Sequence, residues 1–289
     1  MDAERLYEQI KEMIYKDTDR AEKMLLDADN NKLLDNDDLV YLTISLGAQL
    51  GIKDEFLKSR EILHKALNKA ENDDNRAEAY KYLALSFYYE ENYNEALKLY
   101  ERALNFAKDE YIIGSIYAGM AGALYGLTRR EESLKYYLKS LDYFDESRLD
   151  LWGEIESSIT SIITAYLYLD DKEKADVYID KLIKNTKSSS QALHSIYYDL
   201  GHYYYRRKEW GRALENYKFA LSHFHKEDHD ILADIYEYIG SCYHNLGELK
   251  EAKIFYQKSI EFTDDKDEEQ LKRIKETLKI VNETINKKN

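Results

Sequence analysis

The sequence predicts an all-α fold: a right-handed superhelical solenoid of about six helical hairpins, closed by a capping helix at each end. Three observations predict it. The 289 residues hold no proline and only 11 glycines, where average usage gives roughly 14 and roughly 20. β-Sandwiches and α/β folds need such turn residues, so their scarcity favours helices joined by short polar turns. Hydrophobic residues are 44 % and charged residues 34 %, a balance that suits a globular chain rich in helix. Finally, one pattern returns six times along the chain, and a repeat of this kind sets the fold before any local reading does.

Residues 1–39 read as a degenerate half-copy of the pattern and an N-terminal cap, with Ala21, Leu25 and Ala28 on one face. The repeats then follow, each anchored by two small or apolar residues twelve positions apart. Residues 40–76 carry Gly47 and Ser59; residues 77–113 carry Ala84 and Ala96; residues 114–155 carry Ala121 and Ser133. Residues 156–193 are a looser copy with Ile163 and Ala175, followed by 194–232 with Gly201 and Ala213 and by 233–265 with Gly240 and Ala252. The second anchors are spaced by 37, 37, 42, 38 and 39 residues. Small anchors let helix backbones approach, and the tyrosines and leucines between them fill the space between neighbours. One hairpin cannot bury its apolar face alone, so copies must stack. Capping signals agree: Asn75 is the expected N-cap of the second repeat with Glu78 in its first turn, and Ser188 with Gln191 forms a Ser-x-x-Gln capping box before the fifth. Residues 266–289 form an amphipathic cap whose Leu271, Ile274, Leu278, Val281 and Ile285 face the last repeat.

The positions that recur in phase are, in the fifth repeat, Tyr197, Leu200, Gly201, Tyr204, Trp210, Ala213, Tyr217 and Ala220. The sixth has Tyr236, Ile239, Gly240, Tyr243, Leu249, Ala252, Tyr256 and Ser259, and the second Tyr80, Leu83, Ala84, Phe87, Tyr93, Ala96, Tyr100 and Ala103. This resembles the tetratricopeptide repeat over roughly residues 40–265. Two departures are plain: the consensus proline ending the second helix is missing throughout, and the spacing exceeds the usual 34 residues. The resemblance implies a binding module without catalysis, with the first helix of each repeat lining a concave groove.

Helical spacing names the groove stripe. It runs Glu78, Lys81, Leu85, Tyr88; then Ser115, Ala118, Gly122, Tyr125; then Ser157, Thr160, Thr164, Leu167; then Ser195, Tyr198, His202, Tyr205; and last Asp234, Glu237, Ser241, His244. Asp199 and Asn245 sit beside it. Small centres leave room for an extended peptide, and tyrosine offers flat area with a polar tip. The ligand-binding expectation is therefore Lys81, Tyr88, Tyr125, Thr160, Thr164, Tyr198, Asp199, His202, Tyr205, Glu237, Ser241, His244 and Asn245. The carboxylate clamp of chaperone-binding members is missing, because Leu85, Gly119 and Ser157 stand where polar and basic groups would be expected. A weaker resemblance links the long spacing to the sensor domains of Gram-positive peptide-sensing regulators. It implies a sensor without its effector module, since only 39 residues precede the first clear repeat.

Charge and chemistry narrow the rest. A net charge of −14 repels phosphates, so nucleic acid is not an expected partner. The N-terminus is charged from its second residue and no apolar run reaches the roughly 18 residues of a membrane span. With the single cysteine, Cys242, this reads as a cytoplasmic chain that meets a protein or a short extended peptide, without cofactor. The rival reading is a metal enzyme using His223, His225 and His229, but exposed histidines are ordinary in a turn between repeats. Cys242 lies in a packed first helix with no base beside it, so it reads as structural. Partner identity and oligomeric state are open at this level.

Overall fold

The computed structural model describes residues 2–144, 152–185, 191–222, 229–264 and 267–288. Among them are fifteen helices and no strand. The chain divides into two compact units, Met1–Ser158 and Ile159–Asn289. The N-terminal unit holds α1 (Ala3–Lys16), α2 (Thr18–Asn30), α3 (Asn36–Ile52), α4 (Phe56–Lys69), α5 (Asp73–Tyr89), α6 (Tyr93–Leu104), α7 (Glu110–Gly126) and α8 (Arg130–Leu141), with the start of α9 (Trp152–Tyr168). The C-terminal unit holds the rest of α9, then α10 (Lys172–Asn185), α11 (Gln191–Arg206), α12 (Trp210–Leu221), α13 (His229–Leu246), α14 (Leu249–Phe262) and α15 (Glu268–Lys288).

Within the N-terminal unit α3 packs on α4, α5 on α6 and α7 on α8, and each pair also packs on the next. Its core has two clusters. Ile10, Ile14, Leu42, Leu46 and Leu50 join α1, α2 and α3, and the expected face Ala21, Leu25, Ala28 is buried among them. Leu63, Leu83, Tyr100 and Ile116 join α4 to α7. In the C-terminal unit Tyr217, Ile235, Ile239 and Cys242 form the core of α12 and α13. Ile274 and Val281 of α15 bury against Ala252 and Tyr256, with Leu278 and Ile285 half-buried beside them. The recurring small residues have the expected role. Where the second anchor is serine, its hydroxyl reaches back to the first: Ser59 Oγ donates to the Gly47 carbonyl at 2.6 Å and Ser133 Oγ to the Ala121 carbonyl at 2.7 Å.

The turn inside each hairpin is the most regular feature of the chain. One residue in each takes left-handed φ: Asp54 (62°), Glu91 (59°), Thr128 (60°), Asp170 (63°), Lys208 (61°) and Gly247 (83°). Each lies seven residues after a first anchor. The next backbone N–H returns to a carbonyl five residues earlier, as in Glu55 to Leu50, Asn92 to Phe87, Arg129 to Leu124 and Glu248 to Tyr243, all at 2.9 Å. This is the Schellman closure, which satisfies carbonyls that a helix end leaves open. Glycine is its natural residue, yet a single one of these six positions carries it. Thr128 is the most strained, since β-branched side chains resist this region. Thr128→Gly should therefore raise stability by about 1 kcal/mol in urea denaturation, and an unchanged midpoint would show the turn to be relaxed.

Helix starts correct one expectation. Asn72, not Asn75, caps α5; its side chain accepts the Asn75 N–H at 2.7 Å, so Asn75 already lies in the first turn. The signal was ambiguous because Asn72, Asp73, Asp74 and Asn75 are all capping residues. Asn72→Ala should cost about 1 kcal/mol and Asn75→Ala much less, measured by thermal denaturation. Ser188 and the histidines His223 and His225 lie outside the described residues, as do side-chain details for Gln191 and His229.

Candidate functional site

Each unit presents its own stretch of the expected stripe. In the N-terminal unit the stripe borders a cavity of about 500 Å³. Its floor is Ala118, Gly119 and Gly122 of α7, with Leu85 and Tyr88 of α5 along one side. The remaining lining is Ser115 of α7, Tyr100 and Tyr137 of the second helices α6 and α8, Phe144 after α8, and Gly153, Glu154, Ser157 and Ser158 of α9. Tyr100 is buried, its ring wedged over Gly119, and burial raises its phenol pKa strongly. Tyr88 packs edge-on against Tyr93 and Tyr89. At one end the Tyr111 hydroxyl donates to Glu154 Oε1 at 2.9 Å. Burial, then this bond to a carboxylate, pushes the Tyr111 phenol up to about 12, so it stays a donor at neutral pH.

Lys81 and Tyr125 fall elsewhere. Lys81 is 9 % exposed, ion-paired with Glu78 at 2.7 Å and held 4.6 Å above the Tyr82 ring. Tyr125 is 38 % exposed and carries the Arg130 guanidinium 4.2 Å from its ring centre. Neither lines the cavity.

In the C-terminal unit the stripe is knitted together by bonds between neighbouring first helices. Thr164 Oγ1 of α9 donates to Asp199 Oδ2 of α11 at 2.5 Å. Tyr205 of α11 and Ser241 of α13 share a hydrogen bond at 2.7 Å. Glu237 of α13 takes a two-pronged bond from Arg273 of α15, at 2.9 and 2.8 Å, and Asp234 accepts from Gln270 at 2.6 Å. Between these rungs sits a ring cluster. His202 packs edge-on to Tyr198 at 4.4 Å and to Tyr238 at 4.5 Å, and Tyr205 packs edge-on to Trp210 at 5.0 Å. Burial, with the Arg206 charge second, lowers His202 to about 4, while burial raises Asp199 to about 6 against the opposing Thr164 bond. Both groups are thus mostly held in the states their setting favours: imidazole neutral, carboxylate easily protonated. Asn245 bonds back to the Ser241 carbonyl of its own helix at 2.8 Å and points to solvent; His244 and Thr160 are half-buried. Leu167, expected on the lining, is buried in the core.

The stripe thus brings together Thr164 with Asp199, Tyr198 with His202, and Tyr205 with Ser241, but most of these groups hold one another. The cavity walls Tyr100, Tyr137 and Phe144, and the carboxylate of Glu154, were missed by the sequence reading. Three come from outside first helices, and no spacing within one helix points to them; the recurring tyrosine that includes Tyr100 was the one available signal. The Cys242 thiol is fully buried and pushed up to about 12 by that burial, so it remains protonated and is no nucleophile. No helix among the described residues is long and apolar enough to cross a membrane.

Residues 193–265 match the family model of the tetratricopeptide repeat. No curated protein matches the sequence. Solved structures share the fold. The apo form of the quorum sensor NprR from B. thuringiensis superposes with a TM-score of 0.71 at 16 % identity, covering 94 % of this chain and 80 % of that one. NprR in complex with its cognate peptide NprX gives 0.60 at 16 % identity, covering 97 % and 82 %. A signal-transduction ATPase with a tetratricopeptide repeat sensor from Pyrococcus horikoshii gives 0.77 at 20 % identity, covering 96 % of this chain and 44 % of that one. Tetratricopeptide repeats are therefore present in this chain, and its all-α hairpin architecture is the one such proteins share.

Proposed function

We propose that the protein is a non-enzymatic, cytoplasmic binding module that holds a short extended peptide or a protein segment on its first-helix face. The observation that carries this is the cavity of about 500 Å³ in the N-terminal unit, floored by small residues and walled by tyrosines. Ligand pockets are concave, mostly apolar and furnished with a few placed polar groups, and this cavity has that make-up. Tyrosine supplies contact area at low entropic cost. A second reading, a peptide-sensing regulatory domain, draws on the likeness to NprR, a quorum sensor whose complex with its own peptide is known.

A displayed random-peptide library, panned on the parent and on Gly122→Leu, tests the site. A β-carbon at Gly122 would lie 3.4 Å from Tyr88 and 3.6 Å from the Tyr137 hydroxyl, ordinary contact, so the helix accepts leucine and the rest of the side chain fills the cavity. Peptides enriched on the parent should be lost on the variant at unchanged melting temperature. Equal enrichment on both would move the site off the cavity, and no enrichment on either would remove the peptide reading.

A further inference from the structure

We infer that the N-terminal cavity is built for a basic side chain, lysine or arginine, of the bound segment; this deepens the peptide-binding reading and rests on it. Among the described residues, the thirteen that line the cavity include one charged group, Glu154, and no cation. Among the described residues Glu154 accepts from the neutral Tyr111 hydroxyl at 2.9 Å and forms no ion pair. The nearby cation, Lys81, is committed to Glu78 at 2.7 Å. Within the same unit Glu78, by contrast, has Lys81 as a charged donor.

The occupant's chemistry follows from what would be left unpaired. An apolar side chain would fill the cavity but shield Glu154 from water without supplying a charge, which penalises the carboxylate. An acidic one would be repelled. A lysine or arginine lays its methylenes over Ala118 and Gly122 and passes Tyr88 and Tyr137, whose rings attract a cation. Its charged head then meets Glu154 in a charge-assisted hydrogen bond. The net charge of −14 draws such a segment in from solution.

The test follows the backbone amide resonances of Gly119, Gly122 and Gly153 during titration with three capped tripeptides, glycine on either side of lysine, norleucine or glutamate. Norleucine keeps the stem and lacks the charge. On the parent, lysine should bind about tenfold tighter than norleucine, an advantage that shrinks when salt rises from about 20 mM to about 500 mM, and glutamate should not bind. Glu154→Gln keeps an acceptor for Tyr111, so the fold and melting temperature should hold while lysine drops to the norleucine level. Norleucine binding as well as lysine on the parent would overturn the basic preference and leave the peptide reading standing. Silence from all three would overturn the preference as well, and the library panning, which needs no basic residue, then judges the peptide reading by itself.

Discussion

Gly201→Leu should destabilise the C-terminal unit by about 3 kcal/mol or more. Gly201 lies on α11 against α12, and a β-carbon there would come within 2.5 Å of Tyr217 Cε1 and 2.6 Å of its Cδ1. The Tyr217 ring is fully buried and has nowhere to retreat. Tyr238 stacks on it at 5.3 Å, His202 meets it edge-on at 5.4 Å and Tyr198 at 5.9 Å. Relief must come from separating α11 from α12, which would open the cluster around Ile235, Ile239 and Cys242. The melting temperature should fall on the order of 10 °C. Gly211→Ala is the internal control. Gly211 is exposed on α12 with nothing within 4 Å of its would-be β-carbon, so alanine should gain about 0.5–1 kcal/mol by removing backbone freedom from the unfolded chain. If the two variants melted together, close backbone approach at Gly201 would not be what holds this pair of helices.

The second large effect is a pair of opposite pH slopes. Asp199 titrates near 6 in the fold because burial disfavours its charge, against about 4 when unfolded. Its contribution is therefore full at low pH and is lost as pH rises from about 4 through 6. His202 titrates near 4 in the fold, chiefly through burial, against about 6.5 unfolded. Its contribution is present above about 6.5 and is lost as pH falls through 4. The two windows nearly coincide, so the slopes cancel and the parent should show little pH dependence from this pair between about 4 and 6.5. Asp199→Asn should leave stability rising with pH across that window, by about 1–2 kcal/mol once water screening of these half-buried groups is allowed for. His202→Phe should leave it falling by a similar amount. Urea denaturation of the three proteins at several pH values reads this directly. Slopes of the same sign in both variants would show that these side chains are not the buried groups the fold makes them.

Much of this fold is legible in the sequence because helical packing is periodic. The anchors Gly47, Ala84, Ala121, Gly201 and Gly240 recur in phase; Leu63 presses on Gly47, Tyr217 on Gly201 and Tyr256 on Gly240, and burial of Tyr100, Tyr217 and Tyr256 follows from that phase. The terminal face of Ile274, Leu278, Val281 and Ile285 follows from 3.6-residue spacing alone. The site was less legible. Spacing ranks which residues share a face, yet it cannot say whether they are free. Thr164, Asp199, Tyr205, Ser241 and Glu237 were placed on the correct helices, and the structure then bonds each to a partner 35 or 36 residues away.

By itself the sequence determined the all-helical class, the repeat phase and the apolar face of each helix, because those depend on residues a few positions apart on one helix. The tertiary structure alone decided three things. It put left-handed turns on Asp54, Glu91, Thr128, Asp170 and Lys208, where no glycine announces them, because helix closure outweighs the local preference. It assembled the cavity from Leu85, Gly122, Tyr137 and Glu154 of four different helices and from Phe144 just after α8. It also chose which stripe residues bind each other across neighbouring helices, a matter of where backbones come to rest rather than of any pattern along the chain.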